Sequence, residues 1–169
     1  MILARLSLLL ALTLQGSLAA WAKPECRQDR AVYADPDGVI SLSFKAKQED
    51  VPSVTSNEFT IALKEPAVSM DGVVMWNEGV SRPNGIVMYQ CPGGDVTGAD
   101  LEACTVWQGV IYSLEDGSNA GLLPTAGEPA AEALLFPDFA AYASAFDFKT
   151  DEPLKSVPFE VFRFKDCVE

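Results

Sequence analysis

The sequence predicts a mainly β protein, a single-domain antiparallel β-sandwich or partly open β-barrel with one short helical insertion near 129–146. Three observations carry that expectation. Segments 40–47 and 58–64 alternate apolar and polar side chains with period two, the pattern of strands with one buried face. About seven short runs rich in Val, Ile, Phe, Tyr and Trp are separated by turn chemistry, such as Asp35-Pro36-Asp37-Gly38 and Glu115-Asp116-Gly117-Ser118. Four cysteines follow an export-type opening stretch, which reads as two disulfides on a small scaffold.

That opening stretch has a positive residue at Arg5, an apolar run over 6–14, and the small-x-small pattern Ala20-Trp21-Ala22. It is the anatomy of a secretory signal peptide, with cleavage expected after Ala22 and Ala20 as the alternative point. The apolar run is shorter than the roughly 20 residues a spanning helix needs. The expectation is a signal peptide over 1–22, one disulfide-stabilised β-rich domain over 23–169, no membrane span in the mature chain, and a periplasmic or secreted location.

Ala31-Val32-Tyr33 start a strand, and the Pro and Gly of 35–38 turn the chain. Ile40, Leu42, Phe44 and Ala46 then share one face, with Ser41, Ser43, Lys45 and Lys47 on the other. Residues 48–57 are polar, hold Pro52 and read as a loop. Phe59, Ile61 and Leu63 form the next buried face, and the two strands are expected to pair antiparallel. Residues 66–72 read as a turn. Val73-Val74-Met75-Trp76 reads as a short strand without a wet face, and 78–84 as a loop ending in the turn dipeptide Asn84-Gly85.

Residues 85–114 are the centre of the reading. Two runs rich in β-branched and aromatic residues flank the acidic, Gly-rich insert 93–102, with Cys91 and Cys104 at its edges. They are expected to be strands in the sheet interior, joined by a long loop that a Cys91–Cys104 bridge closes. Three connectivities are open to four cysteines. This one leaves Cys26–Cys167 to tie the termini. In the chain-entropy account the loop bridge stabilises by about 3 kcal/mol and the terminal bridge by somewhat more.

Residues 121–124 read as a brief strand. Residues 128–135 look helical, with Pro129 at the first helical position, until Pro137 breaks the helix. Phe139, Tyr142, Ala143 and Phe146 then recur as one apolar stripe. Residues 151–158 read as a connector and 159–165 as a last strand, which brings Cys167 towards Cys26.

Charge and absent residues narrow the chemistry. Twelve Lys and Arg oppose 24 Asp and Glu, a net −12; loss of Arg5 with the signal leaves 11 basic residues and a net −13. Such a surface repels phosphate backbones and suits cationic partners, so no nucleic-acid binding is expected. With 49% hydrophobic residues the chain is not disordered. There is no histidine, which excludes Ser-His-Asp and Cys-His catalysis and His-ligated metal sites. Gly93-Gly94 lacks the Lys-Ser/Thr of a phosphate loop.

Carboxylate pairs remain, because a glycan hydrolase needs two acids about 5–10 Å apart. Asp71, Glu78, Asp100 and Glu102 are the candidates, against the plain alternative that they are solvated surface charges. Asp95, Asp100 and Glu102 in the insert are candidate oxygen ligands for calcium, although the insert matches no EF-hand or nonapeptide pattern. Trp76, Tyr89, Trp107 and Tyr112 on the central strands form either a sugar- or peptide-binding platform or ordinary core. Three functional readings result. The first is an exported acidic, non-catalytic binding or inhibitor module for a basic protein or peptide, with no cofactor. The second is a carboxylate-dependent glycan hydrolase. The third is a cell-envelope structural or assembly component.

Overall fold

A computed structural model describes residues 26–46, 55–76, 81–95, 97–115, 119–152, 154 and 159–168. The expected signal peptide and Glu78 lie outside the described residues. One antiparallel sheet of ten strands curls into a half-barrel, with two short helices. The strands are β1 (Ala31–Ala34), β2 (Ile40–Lys45), β3 (Thr55–Leu63), β4 (Val68–Trp76), β5 (Pro83–Met88), β6 (Thr105–Val110), β7 (Tyr112–Glu115), β8 (Asn119–Leu122), β9 (Ala133–Leu135) and β10 (Val161–Cys167). Helix α1 spans Gly98–Cys104 and α2 spans Phe139–Ala145.

The sheet order is β6-β5-β4-β3-β2-β1-β10-β9-β7-β8. This order forces the curl. If the sheet were flat, β6 and β7 would lie roughly 38 Å apart at ordinary strand spacing. They are joined through Ile111 alone, and one intervening residue spans about 7 Å at most. Ile111 stitches the two ends together: its N–H donates to Pro83 O (3.1 Å), and its carbonyl accepts from the Leu123 N–H (3.4 Å).

The alternating strands bury one face, as the period-two pattern requires. Ile40, Leu42 and Phe44 pair with Leu63, Ile61 and Phe59, and all six are buried. Into the concave side fits a set of rings. Phe136 lies 5.1 Å from Trp107, 5.5 Å from Phe162, 5.8 Å from Phe59 and 6.1 Å from Phe139. The indole N–H of Trp107 donates to Pro137 O (2.8 Å), so its polar edge is paired although the ring is buried. In the middle of the sheet β1 pairs with β10, and the Cys26–Cys167 bridge ties the same seam with a Cα separation of 5.9 Å. Gln28 and Tyr33 are buried beside this seam. The Tyr33 hydroxyl lies 2.9 Å from Gln28 Oε1, and burial pushes its pKa well above the ordinary phenol value.

Several local expectations are corrected. Residues 128–135 are not helical: Pro129 forms an isolated bridge with Arg27, and Ala133–Leu135 is β9, held between β10 and β7. Pairing on both sides and burial of Leu134 outweigh the helix-favouring composition. The apolar stripe is incomplete, because Tyr142 is 56% exposed while Phe139 and Ala143 are buried. Residues 68–72 belong to β4 rather than to a turn, and that strand has a wetter face at Ser69, Asp71, Val73 and Met75, with Trp76 exposed at its end. The polar loop ends earlier than expected, since β3 begins at Thr55. Asn84-Gly85 lies inside β5. The position is tight, because a Cβ at 85 would sit 2.6 Å from Ile111 Cδ1 and 3.1 Å from the Trp107 ring, so those side chains would have to shift. Finally, β6 ends the sheet rather than lying in its interior, and the run 105–114 is two strands bent at Ile111.

Gly72 marks a second close approach, where a Cβ would collide with the ring of Phe59. Gly72→Ala is therefore expected to destabilise by about 1–3 kcal/mol through overpacking. Chemical denaturation measures this. Loss of the penalty in a Phe59→Leu background would assign it to that ring, and an additive double variant would refute the assignment.

Candidate functional site

The acidic insert is not a loop throughout. Thr97 and Asp100 form a capping box that starts α1: Thr97 Oγ1 and Thr97 N–H donate to Asp100 Oδ2 (2.7 and 3.0 Å), and Asp100 N–H donates back to Thr97 Oγ1 (3.3 Å). The spacing Thr-x-x-Asp carried this signal in the sequence. Cys104 ends the helix and bonds to Cys91, with Cα atoms 5.2 Å apart, while Tyr89 N–H donates to Cys104 O (2.9 Å). The insert is thus a helical lobe fixed at its base to the strand pair β5–β6.

Beside the lobe lies an open cleft of about 300 Å³. One wall is Asp100, Ala103 and Cys104. The other is Phe146, Asp147 and Lys149, from the segment that leaves α2, with Tyr89 between them. Tyr89, Phe146 and Phe148 pack ring to ring at 5.0–6.2 Å. At the cleft edge the Lys149 ammonium is paired with the Asp147 carboxylate, and Lys149 holds a left-handed φ of 53°.

Both cleft carboxyls are held below the ordinary aspartate range. For Asp100 the first cause is the Thr97 hydroxyl, then the Thr97 N–H. For Asp147 it is the Lys149 ammonium, then the Lys149 N–H. A depressed folded-state pKa supports the fold above the ordinary aspartate value, and that support is lost as pH falls through the depressed value. The Asp100 carboxyl, followed by NMR, should therefore titrate below the ordinary aspartate value. Thr97→Ala should return the midpoint towards that value. A midpoint indifferent to Thr97→Ala would refute the capping assignment.

The residues singled out from sequence separate in space. Asp100 lines the cleft. Glu102 is two positions further along the same helix, roughly 200° around its axis from Asp100, and Asp95 precedes the helix; neither lines the cleft. Among the described residues no three Cys, Asp or Glu side chains gather as a metal-binding group. Asp71 pairs with Lys45 across the outer sheet face at 3.0 Å, both side chains well exposed. Of the four aromatics, Trp107 is core, Tyr112 accepts from Arg82 at 3.1 Å, Trp76 is exposed at the end of β4, and Tyr89 lines the cleft. Phe146, Asp147 and Lys149 were not foreseen as site residues. They lie more than 40 positions after Cys104, and no spacing in the sequence connects the two walls.

No protein-family model, curated protein or solved structure matches this chain.

Proposed function

We propose that this chain is an exported, non-catalytic binding or inhibitor module that engages a cationic protein or peptide through the α1 lobe. One observation carries the reading. A disulfide-fixed lobe presents Asp95, just before α1, and Asp100 and Glu102, on it, to solvent, none of them ion-paired with another described residue, on a chain of net −12. Rigid presentation limits the ordering cost of binding, and uncompensated charge attracts a basic surface. The two disulfides suit an oxidising compartment, which supports a periplasmic or secreted location. Among the described residues no helix is long and apolar enough to cross a membrane.

The hydrolase reading lacks support from the cleft. A glycosidase needs one carboxyl held protonated as the acid, whereas Asp100 and Asp147 are both pushed the other way.

The test is capture of cationic proteins by the immobilised mature chain across a salt series. Retention at roughly 0.05 M salt should fall at least about tenfold by 0.5 M, as screening of exposed charges requires. No retention at low salt, or retention indifferent to salt, would overturn the proposal.

A further inference from the structure

We propose that the cleft between α1 and the segment after α2 receives a single arginine side chain of the cationic partner, an inference that rests on the reading above. The cleft combines two things a guanidinium uses: an aromatic wall, Tyr89 and Phe146, and carboxylates on either side, Asp100 and Asp147. Ring faces attract a planar cation by their quadrupole, and arginine does so more often than lysine. The guanidinium fork also has five donors to spend on flanking carboxylates, where an ammonium offers a compact point charge. The space, about 300 Å³ and open to solvent, admits one long side chain and no globular element.

A basic side chain already rests at the site. Lys149 is ion-paired with Asp147 at the cleft edge, its side chain 78% exposed, so it can swing away. It acts as an internal competitor for Asp147. An incoming arginine would take over Asp147 and add the open side of Asp100, whose other oxygen is occupied by Thr97. Lys149 is thus expected to weaken binding of a basic partner to a degree that other surface lysines do not.

The experiment measures binding of N-acetylated, C-amidated tri-arginine and tri-lysine peptides to the mature chain at low salt, by calorimetry and by amide NMR shifts. Four variants are compared: Asp100→Asn, Lys149→Asn, Glu102→Gln and Lys165→Gln. Asparagine is chosen at 149 because it tolerates the left-handed backbone found there. Glu102 and Lys165 are exposed and outside the cleft, so they report charge alone.

The expected result is tighter binding of tri-arginine than of tri-lysine, with shifts at Gln90, Ala103 and Lys149. Asp100→Asn should weaken tri-arginine by about fivefold and Lys149→Asn strengthen it by a similar factor, the scale of a partly exposed cation–π and ionic contact. Glu102→Gln and Lys165→Gln should change it less than twofold. If Asp100→Asn and Glu102→Gln weaken binding equally, the cleft is not the arginine site, while the acidic-lobe reading stands. If Lys149→Asn weakens tri-arginine binding, Lys149 does not compete with an arginine for Asp147 and the inference fails. If neither peptide binds and no basic protein is retained, both proposals fall.

Discussion

A Cys26→Ser, Cys167→Ser double variant is expected to lose about 5 kcal/mol of folding free energy, close to the whole stability of a marginal domain. The bridge closes a loop with a sequence separation of 141, and in the chain-entropy account the unfolded chain gains the corresponding freedom when the bond is removed. The Cys91–Cys104 bridge has a separation of 13, so its removal should cost about 3 kcal/mol. The terminal bridge also guards a vulnerable seam. Strand β1 has four residues, its pairing with β10 is broken by a register shift between Val32 and Tyr33, and the seam is where the first and last strands meet. Guanidinium denaturation of the two double variants, side by side, checks the order. A larger loss for the 91–104 pair would show that the short loop's native contacts, rather than loop length, dominate.

The second large effect is expected at Phe136. Its ring is fully buried and has four aromatic neighbours: Trp107, Phe162, Phe59 and Phe139. Phe136→Ala removes a large ring from a site whose surroundings come from β3, β6, β10 and α2. Four separate elements cannot all collapse into the void. The expected loss is about 3–5 kcal/mol, the range for emptying a buried phenylalanine site. Tyr142→Ala, one turn along α2 from Phe139 but 56% exposed, should change stability by less than about 0.5 kcal/mol. Similar losses for both would mean that α2 docks through its outer face, contrary to the ring packing described above.

Phe136 also shows where sequence reading stops. In sequence it precedes Pro137 at the end of a run that looks helical, and nothing marks it as the residue on which the core converges. Its partners come from positions 59, 107, 139 and 162, and only the curled sheet brings them together. The Asn84-Gly85 dipeptide misled for a related reason. As a local signal it means a turn, but Gly85 lies inside β5, where the side chains of Ile111 and Trp107 leave little room for a Cβ. The cleft was half legible. Tyr89, Asp100 and the two cysteines lie on a stretch whose spacing announces a fixed lobe, whereas the wall holding Phe146, Asp147 and Lys149 arrives through the tertiary fold.

By itself the sequence determined the β-rich class, the buried faces of β2 and β3 and the acidic character of the insert, and by the placing of its cysteines it favoured, without choosing among three connectivities, the pairs that the structure shows. Each of these depends on side-chain alternation, on charge, or on the placing of cysteines along the chain, and all three are properties of neighbours in sequence. The tertiary structure decided that 133–135 is a strand, that Ile111 joins the two ends of one sheet, and that Lys149 sits opposite α1. Those outcomes depend on contacts between residues far apart in the chain, where pairing and burial outweigh local preference.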